Sequence, residues 1–324
     1  MSEATPTMRA VTQTAFGGPE VLHLTQVPRP VPLPTEVLVR VVSAGVNPVD
    51  VKTREGGGMA GVLGEPPFVL GWDVSGVVEE VGFGVHTLSV GDEVYGMPWF
   101  PREAGGYAEY VTAPARQFAR KPGSLGHDAA AAVPLAALTA WQILVDTADV
   151  RPGQRVLVHA AAGGVGHFAV QFAKHLGAHV IATASAGKHD WLRELGADEV
   201  IDYTTARFEE KLSGVDVVVD LVGDGIDDTS TRSLAVLRPG GLLVAVPSGV
   251  SPELAERAAG AGVRAVPYLV EPDGTALATL AGLIDAGAVK VEVAGVLPLE
   301  RVAEAHRQVA SGRTRGKIVL RVAE

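Results

Sequence analysis

Short runs rich in valine, separated by glycine and proline, dominate the first third of the chain. They occupy residues 36–42, 76–81, 91–96 and 107–111. Apolar runs of this length, bounded by turn-forming residues, predict β-strands. Many short strands joined by turns predict a small barrel or sandwich.

From about residue 128 the pattern changes to apolar strands that alternate with helical stretches. Strands are predicted at 155–160, 179–184, 215–220 and 241–246, with helices over 165–176 and 188–195. Nearly continuous apolar strands separated by helices predict a parallel sheet that is covered on both faces. An amphipathic helix from about residue 274, a helix over 299–309 and a strand over 317–322 complete the prediction.

The most apolar run begins at Ala129 and is flanked by Asp128 and Asp146. Pro134 interrupts it, and it is too short for a bilayer, so the run predicts a buried helix of small residues. The polar start of the chain carries Glu3, which is unlike a basic secretory leader, and no targeting segment is expected.

Composition narrows the chemistry further. The chain has 324 residues, of which 47% are hydrophobic, enough for two domains with separate cores. Its formal net charge of -10 disfavours nucleic acid and anionic lipid as partners. Because the chain has no cysteine, it forms no disulfide, thiolate metal site or cysteine nucleophile, which agrees with a reducing cytoplasm.

The sharpest signal is a glycine-containing loop between a predicted strand and a predicted helix. It has the spacing Ala161-x-Gly163-x-x-Gly166, which matches a dinucleotide-binding fingerprint with alanine in the first glycine position. Gly163 would let the backbone approach a pyrophosphate, and Gly166 would let the helix pack close to the strand. The free N–H groups that begin the helix favour phosphate. A tight turn without a ligand is the alternative.

The end of the next strand discriminates between nicotinamide cofactors. NAD-binding chains place an acidic residue there, on the adenosine ribose. Here Ser185 offers a hydrogen bond and Lys188 a positive charge to a 2′-phosphate, which a carboxylate would repel. Asp190 is close by as the opposing feature. The segment predicts NADPH in preference to NADH.

The residue patterns of other catalytic classes are not found in the sequence. No tyrosine is followed four positions later by lysine, the pair that short-chain dehydrogenases use, and no G-x-S-x-G turn is present. His175 and His179 are four apart, but Gly177 separates a helix end from a strand between them, so a shared metal is not predicted.

Characteristic motifs are spread over nearly the whole chain. They are Phe16-Gly17-Gly18-Pro19-Glu20-Val21-Leu22, Ala44-Gly45-Val46-Asn47-Pro48-Val49-Asp50, Gly71-Trp72-Asp73-Val74-Ser75-Gly76, residues 159–167, Leu195-Gly196-Ala197-Asp198 and Arg315-Gly316-Lys317-Ile318-Val319-Leu320. Together these motifs resemble the medium-chain dehydrogenase/reductase superfamily, and within it the zinc-independent quinone oxidoreductase branch, which is zeta-crystallin-like.

The resemblance implies an α/β fold with a GroES-like β-barrel catalytic domain, residues 1–127 completed by 271–324. A Rossmann NADPH-binding domain with a doubly wound parallel sheet would span residues 128–270. It assigns Asn47 and Thr139 to the nicotinamide, Gly163, Gly164, Val165 and Gly166 to the pyrophosphate, and Ser185, Lys188 and Tyr203 to the 2′-phosphate. Further cofactor positions are Val222, Pro247, Ser248, Gly249, Tyr268, Leu269, Val270 and Lys317.

Two positions depart from the family pattern. Lys52 stands where the quinone branch often has tyrosine, so the resemblance does not establish that the substrate is strictly a quinone. Trp72 and Asp73 stand where zinc-dependent relatives have a His-Glu pair. Together with the missing cysteines, this predicts that no metal is bound.

A quinone or conjugated enone accepts hydride with the help of hydrogen-bond donors, whereas alcohol oxidation needs a proton removed, which zinc normally assists. The sequence therefore favours reduction of an activated acceptor. Asn47, Lys52 and Thr139 are the candidate catalytic donors, and a structural or cofactor-only role is the alternative for each.

These observations predict a cytoplasmic, NADPH-dependent, zinc-independent oxidoreductase that acts on a small quinone or related conjugated carbonyl compound. An enal/enone or enoyl-thioester double-bond reductase is the close alternative. A non-catalytic NADPH-binding protein is the alternative of another class. By analogy with the family, a homodimer or homotetramer is expected. The physiological acceptor and the proton donor stay open.

Overall fold

A computed structural model describes residues 6–247 and 249–323. Its strands, numbered along the chain, are β1 (Thr7–Gln13), β2 (Leu22–Pro28), β3 (Glu36–Val46), β4 (Phe68–Val69), β5 (Asp73–Val81), β6 (Glu93–Gly96), β7 (Tyr110–Pro114), β8 (Phe118–Arg120), β9 (Arg155–Val158), β10 (His179–Thr183), β11 (Glu199–Ile201), β12 (Val215–Asp220), β13 (Leu237–Ala245), β14 (Arg264–Pro267), β15 (Val293–Pro298) and β16 (Lys317–Arg321).

The helices are α1 (Pro48–Arg54), α2 (Ala60–Leu63), α3 (His127–Ala131), α4 (Pro134–Gln142), α5 (Gly166–His175), α6 (His189–Glu194), α7 (Asp224–Asp227), α8 (Thr229–Ser233), α9 (Pro252–Gly260), α10 (Gly274–Asp285) and α11 (Val302–Ala310). Shorter helical turns lie at Pro19–Val21, Ala115–Gln117, Ile143–Thr147, Ala186–Lys188, Phe208–Glu210 and Leu299–Arg301. None of the helices in the described part of the chain is long and apolar enough to cross a membrane.

The chain forms two compact units. The first contains Met1–Leu138, Glu271–Gly287 and Val291–Glu324, and the second contains Thr139–Val270 and Ala288–Lys290. In the first unit, a three-stranded sheet has the order β2-β1-β4, and a seven-stranded sheet has the order β15-β16-β3-β5-β6-β8 with β7 also paired to β3.

The long strand β3 organises the first unit. It pairs with β5 along one edge, and along its other edge it pairs with β7 near its start and β16 near its end. Val37, Val39 and Val41 are fully buried, as a valine-rich strand between two partners requires. The strand-rich architecture predicted for the first third is confirmed, and the C-terminal strand β16 completes it.

The second unit is built on a six-stranded parallel sheet in the order β11-β10-β9-β12-β13-β14. Relative to the first strand, this is the order 3-2-1-4-5-6 of the doubly wound fold, with its reversal between β9 and β12. The buried side chains of Leu157, Ile181, Val218 and Leu243 belong to one core cluster. The predicted doubly wound sheet is confirmed.

The first unit extends further along the chain than the predicted boundary at residue 128. Ala131 and Ala132 pack against Val319, and the N–H of Leu135 donates to Asp73 Oδ1 over 2.6 Å. These contacts hold residues 128–138 in the first unit. The apolar run in this region forms α3 and α4, and Pro134 begins α4, where its missing N–H costs no helical hydrogen bond.

A second difference concerns residues 288–290, which the sequence placed in the catalytic domain. The Gln171 side chain donates to the carbonyl of Lys290 over 3.0 Å and accepts from the N–H of Lys290 over 2.7 Å. This two-way hydrogen bond joins the segment to α5, so it belongs to the second unit.

Candidate functional site

The predicted cofactor positions of the second unit follow the carboxyl ends of its parallel strands. The glycine loop follows β9, Ser185 follows β10, and Val222 follows β12. Pro247 follows β13 and Tyr268 follows β14 in the same way. The structure therefore brings positions from five strands to one edge of the sheet. In open α/β sheets this edge, at the reversal of strand order, is where ligands bind.

Two positions in the loop are glycine for different structural reasons. A Cβ on Gly166 would lie 2.5 Å from the carbonyl oxygen of Ala160 and 2.6 Å from Ala161 Cα, closer than real contacts allow. Gly166 is thus required for the helix to pack on the turn. A Cβ on Gly163 would lie 3.2 Å from the same oxygen, which is tight but tolerable. Glycine at residue 163 instead leaves the backbone open to a ligand.

The start of α5 offers unpaired donors. Within residues 6–247 and 249–323, the N–H groups of Gly164, Val165 and Gly166 have no hydrogen-bond acceptor, whereas that of Gly163 donates to Ala160 over 2.9 Å. Three consecutive free N–H groups at the positive end of a ten-residue helix favour a bound anion. The loop therefore fits a dinucleotide's diphosphate on its own geometry.

The predicted 2′-phosphate residues lie on neighbouring strand ends. Ser185 precedes the helical turn after β10 and Lys188 ends it, and both are half-buried. Tyr203 follows β11, and its side chain is exposed. The opposing feature, Asp190, is fully exposed and pairs with Arg193 over 2.8 Å. A serine hydroxyl, an ammonium and a phenol suit a phosphate ester.

The other cofactor candidates of the second unit differ in their surroundings. The N–H of Val222 donates to Asp220 over 2.8 Å, and the hydroxyl of Tyr268 donates to Gln142 over 2.8 Å. Pro247 and Gly249 are half-buried, Leu269 is exposed, and Val270 and Thr139 are buried. Ser248 lies outside the described residues.

In the first unit, three distant segments meet in one buried polar cluster. Asn47 precedes α1, Asp73 begins β5, and Lys317 begins β16. The Asn47 side-chain amide donates to Asp73 Oδ2 over 2.8 Å, and the Lys317 ammonium donates to Asn47 Oδ1 and, over 3.3 Å, to Asp73 Oδ2. Each of these side chains is at most 3% exposed. The structure thus joins two predicted site residues, Asn47 and Lys317.

Asp50 extends this cluster. Its Oδ2 accepts from the N–H of Asn47 over 2.7 Å and from the hydroxyl of Tyr107 over 2.9 Å. Its Oδ1 is buried and has no hydrogen-bond partner among the described residues. Burial raises the pKa of Asp50 to about 7, although the hydrogen bonds from Asn47 and Tyr107 lower it. Asp50 is therefore a carboxyl group that changes charge near neutral pH.

Lys52 lies apart from this cluster. It is on α1 with Asn47 at the helix start, but its side chain is exposed, whereas the neighbouring Asp50 and Thr53 are buried. The structure therefore does not bring Lys52 into the buried group formed by Asn47, Asp73 and Lys317.

Comparison with known proteins decides the family. The sequence profile described as alcohol dehydrogenase GroES-like domain matches residues 33–123, and the one described as zinc-binding dehydrogenase matches residues 195–320. The chain is 36% identical to 2-methylene-furan-3-one reductase of Solanum lycopersicum, over 97% of this chain and 79% of that one. It is also 36% identical to NADPH-dependent alkenal/one oxidoreductase, chloroplastic, of Arabidopsis thaliana, with the same coverage.

A solved structure described as the quinone oxidoreductase from Coxiella burnetii superposes with a TM-score of 0.91 at 36% identity, covering 98% of this chain and all of that one. The chain belongs to the medium-chain dehydrogenase/reductase superfamily. The predicted quinone oxidoreductase branch is confirmed, and the chain is an oxidoreductase.

The superfamily's zinc-ligand positions are occupied differently in this reductase. Trp72 is buried, donates from its indole N–H to the Arg102 carbonyl over 2.7 Å and packs edge-on against Phe100 at 5.3 Å. Asp73 is bound by Lys317 and Asn47. Across residues 6–247 and 249–323, no group of three or more His, Cys, Asp or Glu residues is placed to hold a metal ion.

Sequence reasoning missed a carboxylate beside the predicted 2′-phosphate residues. It is Asp202, which follows β11. Donation from the Thr204 hydroxyl and N–H lowers the pKa of Asp202. The backbone of Ala186, in the turn that ends at Lys188, makes a minor contribution to lowering this pKa. The register Thr183↔Ile201 places this residue next to the end of β10. The strand tip of this reductase therefore carries one negative charge beside its positive one.

His159 is a second residue that the sequence did not single out. It follows β9 and is buried against Phe208, with ring centroids 4.6 Å apart. Because the Ser233 hydroxyl donates to the Thr229 carbonyl over 2.6 Å, it accepts from His159 Nε2 over 3.0 Å, and Nδ1 accepts from Thr183 over 3.1 Å. Burial lowers the pKa of His159 to about 4. This neutral imidazole joins Thr183, at the end of β10, to Ser233 on α8.

Proposed function

We propose that this oxidoreductase uses NADPH to reduce a quinone or a related conjugated carbonyl compound. The observation that carries the proposal is the row of three free N–H groups at Gly164, Val165 and Gly166, at the carboxyl edge where the strand order reverses. A relative named NADPH-dependent alkenal/one oxidoreductase supports the same cofactor and substrate class.

The cofactor's two ends are held by different chemistry in this proposal. The N–H groups that begin α5 bind the diphosphate, and Ser185, Lys188 and Tyr203 bind the 2′-phosphate. Val222, Pro247, Ser248 and Gly249 are the further positions that follow strand ends, and Tyr268, Leu269 and Val270 follow β14. NADPH, when bound, supplies the hydride.

The chain's own residues supply binding and hydrogen-bond donation. An acceptor that delocalises the incoming electrons needs a donor for the oxygen that gains charge, and needs no Lewis acid. Asn47 is such a donor, since an amide NH2 has two N–H groups and Asp73 takes one of them. We propose Asn47 as the donor, with Thr139 as the nicotinamide contact and the exposed Lys52 as a mobile proton source.

Reduction of an enal or enone double bond is the second candidate. Its support is that two relatives, each 36% identical over 97% of this chain, carry names for reductases of conjugated carbonyl compounds. The two candidates share the cofactor and the amide donor. They differ in the position that receives the hydride. In the first candidate this position is on the quinone ring, and in the second it is the β-carbon of the enone.

Assembly and location are proposed by analogy. We propose a homodimer or homotetramer in the cytoplasm, acting on a small molecule, with no nucleic acid or membrane partner. The net charge of -10 supports the last point. Size-exclusion chromatography with light scattering tests the oligomeric state, and cell fractionation tests the location.

The test is NADPH oxidation against matched quinones, enals, enones and simple aldehydes, with NADH run in parallel and every product identified. Quinol formation supports the first candidate, and a saturated carbonyl supports the second. We expect no turnover of simple aldehydes. Absence of a saturable fluorescence change when folded protein is titrated with NADPH would contradict the proposal.

A further inference from the structure

The buried cluster around Asn47 contains a complete internal ion pair. Lys317 and Asp73 are both buried, with the ammonium nitrogen 3.3 Å from Asp73 Oδ2. Asp73 Oδ1 is occupied by the N–H of Leu135. Burying an ion pair removes the hydration of both ions at a large cost, and apolar residues of the same volume often stabilise a fold equally well. Stability alone therefore gives a weak reason for this pair.

Backbone pairing fixes where the two charges meet. In the seven-stranded sheet, β3 pairs Gly45 with Asp73 on one side and Val46 with Ile318 on the other. A Cβ on Gly45 would lie 2.8 Å from Asp73 Cβ, so the glycine makes room for the carboxylate. Residue 47, which ends this stretch, is consequently flanked by Asp73 and Lys317. Neither partner depends on a flexible loop for its position.

The pair acts on an amide whose two ends are chemically different. The oxygen of Asn47 faces the ammonium of Lys317, and its NH2 faces the carboxylate of Asp73. A flipped amide would set the NH2 against the ammonium and the oxygen against the carboxylate, and both contacts would be repulsive. Opposite charges on the two sides therefore permit one orientation of the Asn47 side chain.

We propose that Lys317 and Asp73 are positioning residues, which lock the Asn47 amide so that its second N–H remains a fixed donor to the oxygen of the acceptor. This inference rests on the proposed function, since it assigns Asn47 the role of donor in that reaction. It also gives Lys317 a role other than the cofactor contact expected from the sequence. Of the three ammonium donors, Asn47 and Asp73 occupy two.

The first test observes the amide without turnover. Asn47 is the only asparagine in the chain, so ¹⁵N-asparagine labelling gives one side-chain NH2 signal, which Asn47→Ala removes. We expect two well-separated NH2 protons, because one is bound to a carboxylate, and hydrogen exchange at least tenfold slower than in an unstructured asparagine peptide. Lys317→Gln/Asp73→Asn removes both charges and leaves neither partner unpaired, but it adds a second labelled amide at residue 73, which is identified as the signal that remains when Asn47→Ala is added. In the double variant we expect the separation of the Asn47 NH2 protons to narrow and their protection to be lost. An unchanged signal in that variant overturns the proposal.

The second test asks whether the pair acts through Asn47. We expect Lys317→Gln/Asp73→Asn to lower kcat ten- to a hundredfold, with KM for NADPH changed less than twofold. In an Asn47→Ala background the same double substitution costs less than twofold, because the amide it positions is gone. A kcat loss of equal size in both backgrounds overturns the proposal, since Lys317 would then act directly.

Thermal unfolding verifies that each variant folds. If the double variant does not fold, Asp73→Asn alone replaces it. That variant keeps the ammonium but removes the charge that faces the NH2, and the same changes in signal and kcat are expected. If wild-type protein reduces no acceptor while the Asn47 signal behaves as described, the proposed function fails and the locked amide stands. If the protein is active and the signal is unaffected by the variants, the positioning role fails alone.

Discussion

The carbonyl oxygen of Ala160 lies close to the position that a Cβ would take on Gly166, and less close to that on Gly163, so it constrains only Gly166 strictly. A Cβ would approach this oxygen to 2.5 Å from Gly166 and to 3.2 Å from Gly163. Ala160 itself has a φ of 47°, the left-handed conformation that reverses the chain between β9 and α5. Gly166 thus serves the packing of the turn, and Gly163 leaves the loop surface open.

The two glycines should respond differently to alanine. Gly166→Ala forces backbone movement, and we expect it to cost about 1–3 kcal/mol of unfolding free energy. Gly163→Ala should leave stability within about 1 kcal/mol while raising the Kd for NADPH at least tenfold, because its methyl group obstructs the diphosphate. Urea unfolding and fluorescence titration measure both effects. Unchanged NADPH affinity in folded Gly163→Ala would refute the loop as the diphosphate site.

Charge at the end of β10 should set the choice of cofactor. Lys188→Glu replaces an attraction to the 2′-phosphate by a repulsion, so we expect the Kd for NADPH to rise by tenfold or more. NADH lacks this phosphate, and its Kd should change less than threefold. The ratio of the two Kd values is the measurement. An equal loss for both cofactors would remove Lys188 from the phosphate site.

Asp202 provides the matched control of opposite sign. It follows β11, whose end lies beside the end of β10, so Asp202→Asn removes a negative charge near the turn that carries Lys188. We expect NADPH to bind two- to fivefold more tightly, with NADH little affected. Weaker NADPH binding in this variant would mean that Asp202 holds the turn in a shape that the cofactor needs.

The sequence predicted elements well where a strand is mostly apolar. The run at 215–220 coincides with β12, because a central parallel strand is buried on both faces. Helix α1 was not predicted, although Asn47 and Pro48 are typical N-cap and first-turn residues, since it has seven residues and lies among strands.

The sequence left the geometry of the site open for a different reason. Lys317 and Asn47 are 270 positions apart, and only the pairing of β16 with β3 brings them together. Asp202 was overlooked, although the resemblance assigned the neighbouring Tyr203, because the charges at the end of β10 were considered without those that follow the strand beside it. Periodicity identifies strands, but it does not report which strands are neighbours or in which register.

Asp50 should make stability depend on pH around neutrality. Burial raises its pKa in the folded chain to about 7, well above the value of an unfolded aspartate. A raised folded pKa gives stability that is present below about pH 4 and is lost as the pH rises towards 7. Asp50→Asn accepts the same bonds from Asn47 and Tyr107 without a charge. We therefore expect the difference in unfolding free energy, Asp50→Asn minus wild type, to increase by a few kcal/mol between pH 4 and pH 8.

Urea unfolding at several pH values measures this difference, and Asp190→Asn is the control. Asp190 is exposed, so its substitution should leave the pH profile unchanged. If Asp50→Asn and wild type differ by a constant amount at all pH values, Asp50 does not titrate in this range.

His159 should produce the opposite dependence on the acid side. Burial lowers its folded pKa to about 4, below the usual value of about 6.5, so stability is present above pH 6.5 and is lost as the pH falls towards 4. His159→Gln keeps a donor for Ser233 and an acceptor for Thr183 but stays neutral. At pH 7 the variant should be less stable, because the ring contact with Phe208 is lost. The wild-type advantage should shrink by a few kcal/mol at pH 4.

His306 provides an internal comparison for that experiment. Burial, with a smaller effect of Arg54, lowers its pKa to about 3, so the His159→Gln variant still contains an acid-sensitive imidazole in the first unit. We therefore expect His159→Gln to reduce the acid slope of stability without abolishing it. The same slope in wild type and variant would show that His159 is not held neutral. In that event the tautomer assigned from Ser233 and Thr183 would also be wrong, because a protonated ring cannot accept from the Thr183 hydroxyl.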